Sequence, residues 1–403
     1  MKRKFPLGFV LLAAATIVPL SGAPDDALAV LLRALVENKT LTAQQADSVR
    51  SAASIPVPIA ADKPVFATPK QKNVSRIALA GQIHPQWDNL STDVSNGPKP
   101  ATRNTFLMRR LKLAVSADLG KDWSGLVEAD FAASNTLEQG YVSYKGFADT
   151  EIMIGHTKVP FLREELLSDS VIKGIERSAS HRAFVESSGR GVGAKNTGVH
   201  VRGQLPGGFN YATSVANTGA KNSGGTAANV ANELAYYAQL GFAQAAGEGR
   251  LELGFQLGYL PDLLSTGPIT VAAGHVFYED ARWCLLAEYV TGWYARLGGA
   301  AEQKGFMIEP CLKLTKEWEL VLRYSNVQSD GLGLSPGALI RNASSTGTFD
   351  NFDSIYVGGN YYFIGNAVRA TFGYEYGKAT DRLSGTAEEN TINGVRTRFQ
   401  FLF

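Results

Sequence analysis

The chain has 403 residues, with 39 Lys and Arg against 37 Asp and Glu, for a formal net charge of +2. A balance this near neutrality excludes partners captured by bulk charge, nucleic acid among them. Hydrophobic residues at 45% exclude a disordered chain, and 42 Gly with 10% aromatics suit many strands joined by turns.

The N-terminus reads MKRKFPLGFVLLAAATIVPLSGAP. Lys2, Arg3 and Lys4 precede an apolar run over residues 7–20, and small residues follow at 21–23. This pattern predicts a secretory signal peptide over residues 1–23. The apolar run falls short of the ~20 residues a helix needs to cross a bilayer, and no later segment reaches that length. The exported protein is then expected to be soluble or a membrane β-barrel. Residues 24–54 carry helical spacing at Leu28, Leu31, Leu32 and Leu35, and Thr42 with Gln45 forms a capping box. They predict a short periplasmic helical hairpin, which either self-associates through its Leu stripe or is a plain appendage. Residues 55–73 are Pro-rich and predict an extended linker.

From Val74 onward apolar and polar residues alternate. In RLELGFQLGY, Leu251, Leu253, Phe255, Leu257 and Tyr259 share one face. In EWELVLRYS, Trp318, Leu320, Leu322 and Tyr324 oppose Glu319, Val321, Arg323 and Ser325. A soluble sandwich and a membrane barrel both alternate in this way. Three features favour the barrel. The strands run to ~10 residues, the length that crosses a bilayer at a tilt. Aromatics such as Trp283 and Tyr289 sit at the ends of the apolar faces, as an interfacial girdle does. Tight turns (GKD, PGG, GEG, TKE, IGN) alternate with polar stretches at 88–103, 219–232, 291–303, 328–352 and 378–393, read here as long loops. The prediction is an all-β fold: a sixteen-stranded antiparallel transmembrane β-barrel over residues 74–403, its strands running from 74–86 to 394–403. A barrel of this size encloses water, so the polar face lines a lumen. The expected function is passive diffusion of small hydrophilic solutes across a bacterial outer membrane.

The stretch between the fifth and sixth strands, KVPFLREELLSDSVIKGIERSASHRAFVESSGRGVGAKNTG, is longer than closure requires. Phe161, Leu162, Leu166, Leu167, Val171 and Ile172 argue that it is ordered, and it is expected to fold into the lumen as the third loop.

Three segments carry a resemblance: FLMRRLKLAVSADLGKDWSGLVEADF, YVSYKGF and IGHTKVPFLREELLSDSVIKGIERS. Together with the final Phe403 they resemble the phosphate-selective porin O and P family across roughly residues 74–403. The resemblance implies a homotrimer of sixteen-stranded barrels in outer-membrane lipid. It also implies that small anionic solutes, phosphate or polyphosphate, are drawn along a lumenal ladder of basic side chains.

By alternation the strand candidates for pore-lining and anion binding are Arg110, Lys112, Arg202, Arg323, Arg369, Arg396 and Arg398, with Arg282 and Lys313 in the same phase. On the third loop they are Lys158, Arg163, Lys173, Arg177 and Arg182. Arg suits oxyanions because its fork donates two parallel hydrogen bonds. The same phase also carries Glu128, Asp130, Glu252, Glu288, Glu309, Glu319 and Glu375, so a mixed lumen with acids facing bases is expected. Cys284 and Cys311 fall on the lumenal phase of adjacent strands and form a possible disulfide in an oxidising compartment. The five His are scattered, with no metal spacing; no metal, cofactor or nucleic acid is expected.

Two alternatives are a barrel enzyme and a structural barrel that tethers the envelope. For the enzyme, Ser178, Ser180 and His181 are a weak nucleophile–base signal. For the tether, the helical segment is short. The chain ends RTRFQFLF, which reads as the closing strand, with Thr397, Phe399, Phe401 and Phe403 toward lipid. By resemblance, this terminal strand ending in Phe403 is what barrel-assembly machinery recognises.

Overall fold

The computed structural model describes residues 74–94, 101–133, 136–186, 192–218, 233–261, 267–296, 299–344, 347–381 and 389–403. The expected signal peptide, helical hairpin and linker lie outside these residues.

Sixteen strands form one closed antiparallel barrel. They are β1 (Val74–Val94), β2 (Ala101–Leu119), β3 (Trp123–Asp130), β4 (Leu137–Phe147), β5 (Thr150–Lys158), β6 (Lys195–Gln204), β7 (Phe209–Asn217) and β8 (Leu234–Ala246). The second half comprises β9 (Gly249–Leu260), β10 (Ile269–Glu279), β11 (Trp283–Arg296), β12 (Gly299–Lys313), β13 (Trp318–Asp330), β14 (Asn351–Ile364), β15 (Val368–Thr380) and β16 (Glu389–Leu402). Each strand pairs with its neighbours in sequence, and β1 closes on β16. Closure removes the sheet edge, which hydrocarbon cannot hydrate.

The alternation decides which way each residue points. Along β13, Trp318, Leu320, Leu322 and Tyr324 face outward while Glu319, Val321, Arg323 and Ser325 are buried. Along β16, Thr397, Phe399 and Phe401 face outward and Arg396, Arg398 and Gln400 inward. The exterior is a belt of Leu, Val, Ile and aromatic side chains far larger than a protein in water exposes. Aromatic pairs sit at the end of the belt near the tight turns: Trp123 with Tyr144 at 4.7 Å, Phe209 with Phe242 at 5.0 Å, Trp318 with Tyr361 at 4.8 Å.

The tight turns all lie at one rim, at 120–122, 148–149, 205–208, 247–248, 280–282, 314–317 and 365–367. Gly120, Gly247 and Gly365 take positive φ there. At the opposite rim two expected loops prove to be largely strand. β1 runs to Val94 and β2 begins at Ala101, while β11 continues to Arg296 and β12 begins at Gly299. Beyond the lipid belt both faces of a strand can be polar, so the ladder continues where hydrophobic alternation no longer marks it. The described residues 331–344 and 347–350 are also not a plain polar loop. They carry a helical turn at Pro336–Leu339 and a bridge between Leu334 and Phe349, and Leu334, Leu339, Ile340 and Phe349 are buried.

One irregularity positions charge. The β1–β2 register pairs His84 with Arg110 but Pro85 with Met108, leaving Arg109 unmatched. Pro85 has no N–H to give the ladder, and the bulge falls beside it. The extra residue resets the phase: Phe106 and Met108 point outward before it, Leu111 and Leu113 after it. Arg109 and Arg110 therefore both turn inward.

Candidate functional site: the inward segment and its charged cluster

Residues 159–186 and 192–194, between β5 and β6, fold back inside the barrel. Val159, Phe161, Leu162, Ala183, Phe184 and Val192 are fully buried, packed with Tyr237, Leu260, Val271, Val290 and Val327 of the wall and with Leu334 and Leu339 of the 331–350 loop. The chain turns at Leu162, whose φ is +59°, into a helical turn at Arg163–Leu166. That conformation is uncommon outside glycine and is held here by burial and by Glu288, which accepts the Arg163 backbone N–H. A second apolar contact seats Ile175 on Cys284, Cys311, Val321 and Tyr356.

The charges divide into groups. Glu176 is the densest. Arg109 donates to it through two nitrogens, at 2.7 and 2.9 Å, and Arg398 at 3.1 Å. Arg341 lies 3.3 Å away and Arg396 3.8 Å. The Glu176 backbone carbonyl accepts from Arg323 at 2.7 Å. Burial alone would raise the Glu176 carboxyl, but Arg341, Arg398 and Arg396 outweigh it and hold it down at about 2. Arg396 also pairs with Asp88 at 3.0 Å and Glu375 at 2.7 Å, and Arg323 with Glu309 at 3.3 Å. Asp169 forms a second centre, accepting from Arg110 at 2.9 Å, Lys112 at 2.8 Å and Arg177 at 3.0 Å. Burial opposes its charge, yet Arg110, Lys112 and Arg177 hold its carboxyl well below the usual range.

Apart from Arg177, which the Asp169 centre already includes, the remaining expected residues fall outside these two centres. Arg163 pairs with Glu252 at 2.8 Å and lies over the Phe277 ring, and Lys173 pairs with Glu319 at 2.8 Å. Lys158, at the end of β5, donates to the carbonyls of Glu165 and Leu167 and ties the segment to the wall, while Arg177 donates to those of Glu164 and Leu167 and ties the segment to itself. Arg182 is buried, bonded to Glu186 and to the Ala338 carbonyl. Arg202 stands apart near the tight-turn rim, paired with Glu151 at 2.6 Å. Arg369 is buried, donates to Gln400 at 3.3 Å, and has no carboxylate within 4.0 Å among the described residues.

Arg109 and Arg341 escaped the sequence reading. Strict alternation cannot place both Arg109 and Arg110 inward; the phase slip from Phe106–Met108 to Leu111–Leu113 is the signal that could have done so. Nothing near Arg341 marks its loop as inward except the apolar pair Leu339–Ile340.

Cys284 and Cys311 are direct partners across β11–β12, with Cα atoms 5.0 Å apart, and are bonded to each other. They and Glu319 are the only described His, Cys or carboxylate group close enough to share a metal ion. The sulfurs are already joined, and Glu319 accepts from Lys173, Asn360 and Tyr362. Ser178 and His181 form no nucleophile–base pair: the Ser178 hydroxyl donates to Glu164 at 2.5 Å and accepts the His181 backbone N–H, while the imidazole contacts Glu165 at 2.8 Å.

Apart from those of Lys158 in β5 and Tyr237 in β8, the contacts described bind the segment toward β1, β2 and β9–β16. Against β3–β8 the space stays open, as a cavity of about 730 Å³. Lys112, Lys145, Lys158, Lys195 and Arg202 line it, with Glu128, Asp149, Glu151 and Asp169 and many neutral polar side chains.

Residues 78–264 match the family described as phosphate-selective porin O and P. No curated protein matches the chain. Among solved structures, the outer membrane channel DcaP of Acinetobacter baumannii is 16% identical with a TM-score of 0.58, covering 84% of this chain and 100% of that one. An anion-selective porin from Comamonas acidovorans is 16% identical with a TM-score of 0.57, over 81% and 99%. OmpF of Salmonella typhi is 12% identical with a TM-score of 0.54, over 84% and 100%. At these identities the structures share the fold. With the lipid-facing belt and the family match over residues 78–264, the chain is a porin channel of the bacterial outer membrane, similar over that stretch to the phosphate-selective porin O and P family.

Proposed function

We propose that the protein passes small hydrophilic solutes, anions in preference to cations, along a path between the inward segment and the β3–β8 wall. The carrying observation is the asymmetry of the segment's contacts. Apolar packing and ion pairs tie it to one side, and the cavity lies on the other. The segment then sets the narrowest part of the pore. Five basic side chains face four acids along the cavity, so the expected anion preference is modest. Phosphate or polyphosphate as solute follows from the family name alone.

Porins of this fold place tight turns in the periplasm and long loops outside the cell. A homotrimer is supported by the family and by the trimer form of OmpT of Vibrio cholerae, 12% identical with a TM-score of 0.50. The N-terminal residues would supply the signal peptide, helical hairpin and linker. The strand ending at Phe403 would be what barrel-assembly machinery recognises. Stepwise conductance in a planar bilayer tests the channel, and the reversal potential in a KCl gradient tests its preference. A clearly cation-selective pore would refute the anion reading.

A further inference from the structure

Glu176 has four guanidinium groups around one carboxylate, more than one charge can neutralise. Two of them have other acids: Arg396 has Asp88 and Glu375, and Arg341 has Glu186. The other two do not. Among the described residues, Glu176 is the only carboxylate within 4.0 Å of Arg109 and of Arg398. Both arginines are nearly excluded from solvent, so water cannot stand in for the counter-charge. Arg341, at 28% side-chain exposure, is the edge where the cluster meets water.

We infer that Glu176 is a selectivity-determining residue: a tethered counter-anion, supplied by the inward segment, that cancels Arg109 and Arg398 and so withholds their charge from the pore. The argument is one of charge placement. The bulge beside Pro85 adds one arginine more to the inner face than strict alternation allows. A barrel wall focuses the field of any uncancelled charge into the lumen. A glutamine at 176 would keep hydrogen-bond acceptance and volume but remove the cancellation. Two guanidiniums without a counter-charge would then raise the local potential and attract mobile anions toward the cluster. The inference rests on the reading of the barrel as a conducting pore.

The test uses the full-length protein in planar bilayers under a KCl gradient. Glu176→Gln should raise the anion-to-cation permeability ratio about twofold or more, and added inorganic phosphate should reduce chloride current in the variant more than in wild type. Glu176→Gln combined with Arg398→Gln should bring the ratio back toward wild type, which a merely structural role for Glu176 would not do. Should Glu176→Gln fail to form a heat-resistant barrel, Arg398→Gln alone carries the test and should lower the ratio. An unmoved ratio in Glu176→Gln, a double variant that stays as anion-preferring as the single, or an unmoved ratio in Arg398→Gln overturns the inference. Wild-type protein that shows no conductance steps overturns the pore reading, and this inference with it.

Discussion

At the scale of single residues, the interior is governed by ion pairs withdrawn from water. Removing one member of such a pair costs about 3–5 kcal/mol, because the other charge is left stranded. Asp169 and Glu176 of the inward segment have pKa values held down, so the sign of their pH dependence follows. Glu176 has an ordinary value of 4.5 and is held at about 2. Its contribution to holding the segment is complete above about pH 4.5 and is lost as pH falls toward 2. Channel noise recorded by single-channel measurement should therefore be unchanged from pH 7 to pH 5 and rise sharply below about pH 4. A rise already complete by pH 6 would show that other groups govern the segment. Most expected basic residues are found inside the barrel, yet Lys158 and Arg177 are spent on the segment's own carbonyls. Residue type and phase could not distinguish a cation that meets solute from one that holds a loop, because both need only to point inward.

At the scale of elements, two fittings decide stability. The first is the seam. Phe403 exchanges backbone hydrogen bonds with Gly81 at 2.8 and 3.1 Å, and its ring covers the glycine so closely that a Cβ there would lie 2.1 Å from the ring. Gly81→Val should thus displace the terminal ring and slow barrel closure, seen as heat-modifiable gel mobility that appears late or not at all; assembly at the wild-type rate would contradict the fit. The second is the seat of Ile175 on the Cys284–Cys311 pair. A cross-link spanning 27 residues restricts the unfolded chain by about 3 kcal/mol on chain-entropy grounds. Cys284→Ser/Cys311→Ser should lower the unfolding midpoint in guanidinium accordingly, while Ile175→Ala, removing a buried side chain, should cost about 2–4 kcal/mol of local stability and increase channel flicker. The strands of the lipid belt were legible because one face must be apolar. The extensions of β1, β2, β11 and β12 were not, since beyond the belt a backbone ladder suffices. The bulge at Arg109 was written in the slip of apolar phase between Met108 and Leu111, together with Pro85.

At the scale of the barrel, the interior of the sixteen strands is filled unevenly. One side holds the inward segment, the 331–350 loop and their apolar and ionic contacts; the other side is open along β3–β8. The barrel itself could be read from alternation, strand length and the rhythm of turns. The asymmetry could not, because it depends on which wall the segment leans against, and that is settled by long-range pairs such as Glu176 with Arg398 and Lys173 with Glu319. The central claim is that this segment sets the width of the conducting path. Single-channel conductance of the wild-type barrel beside one in which residues 163–186 are replaced by a short Gly-Ser link tests it most directly. The account predicts discrete steps for both and a severalfold larger step for the shortened chain; steps of equal size would contradict it.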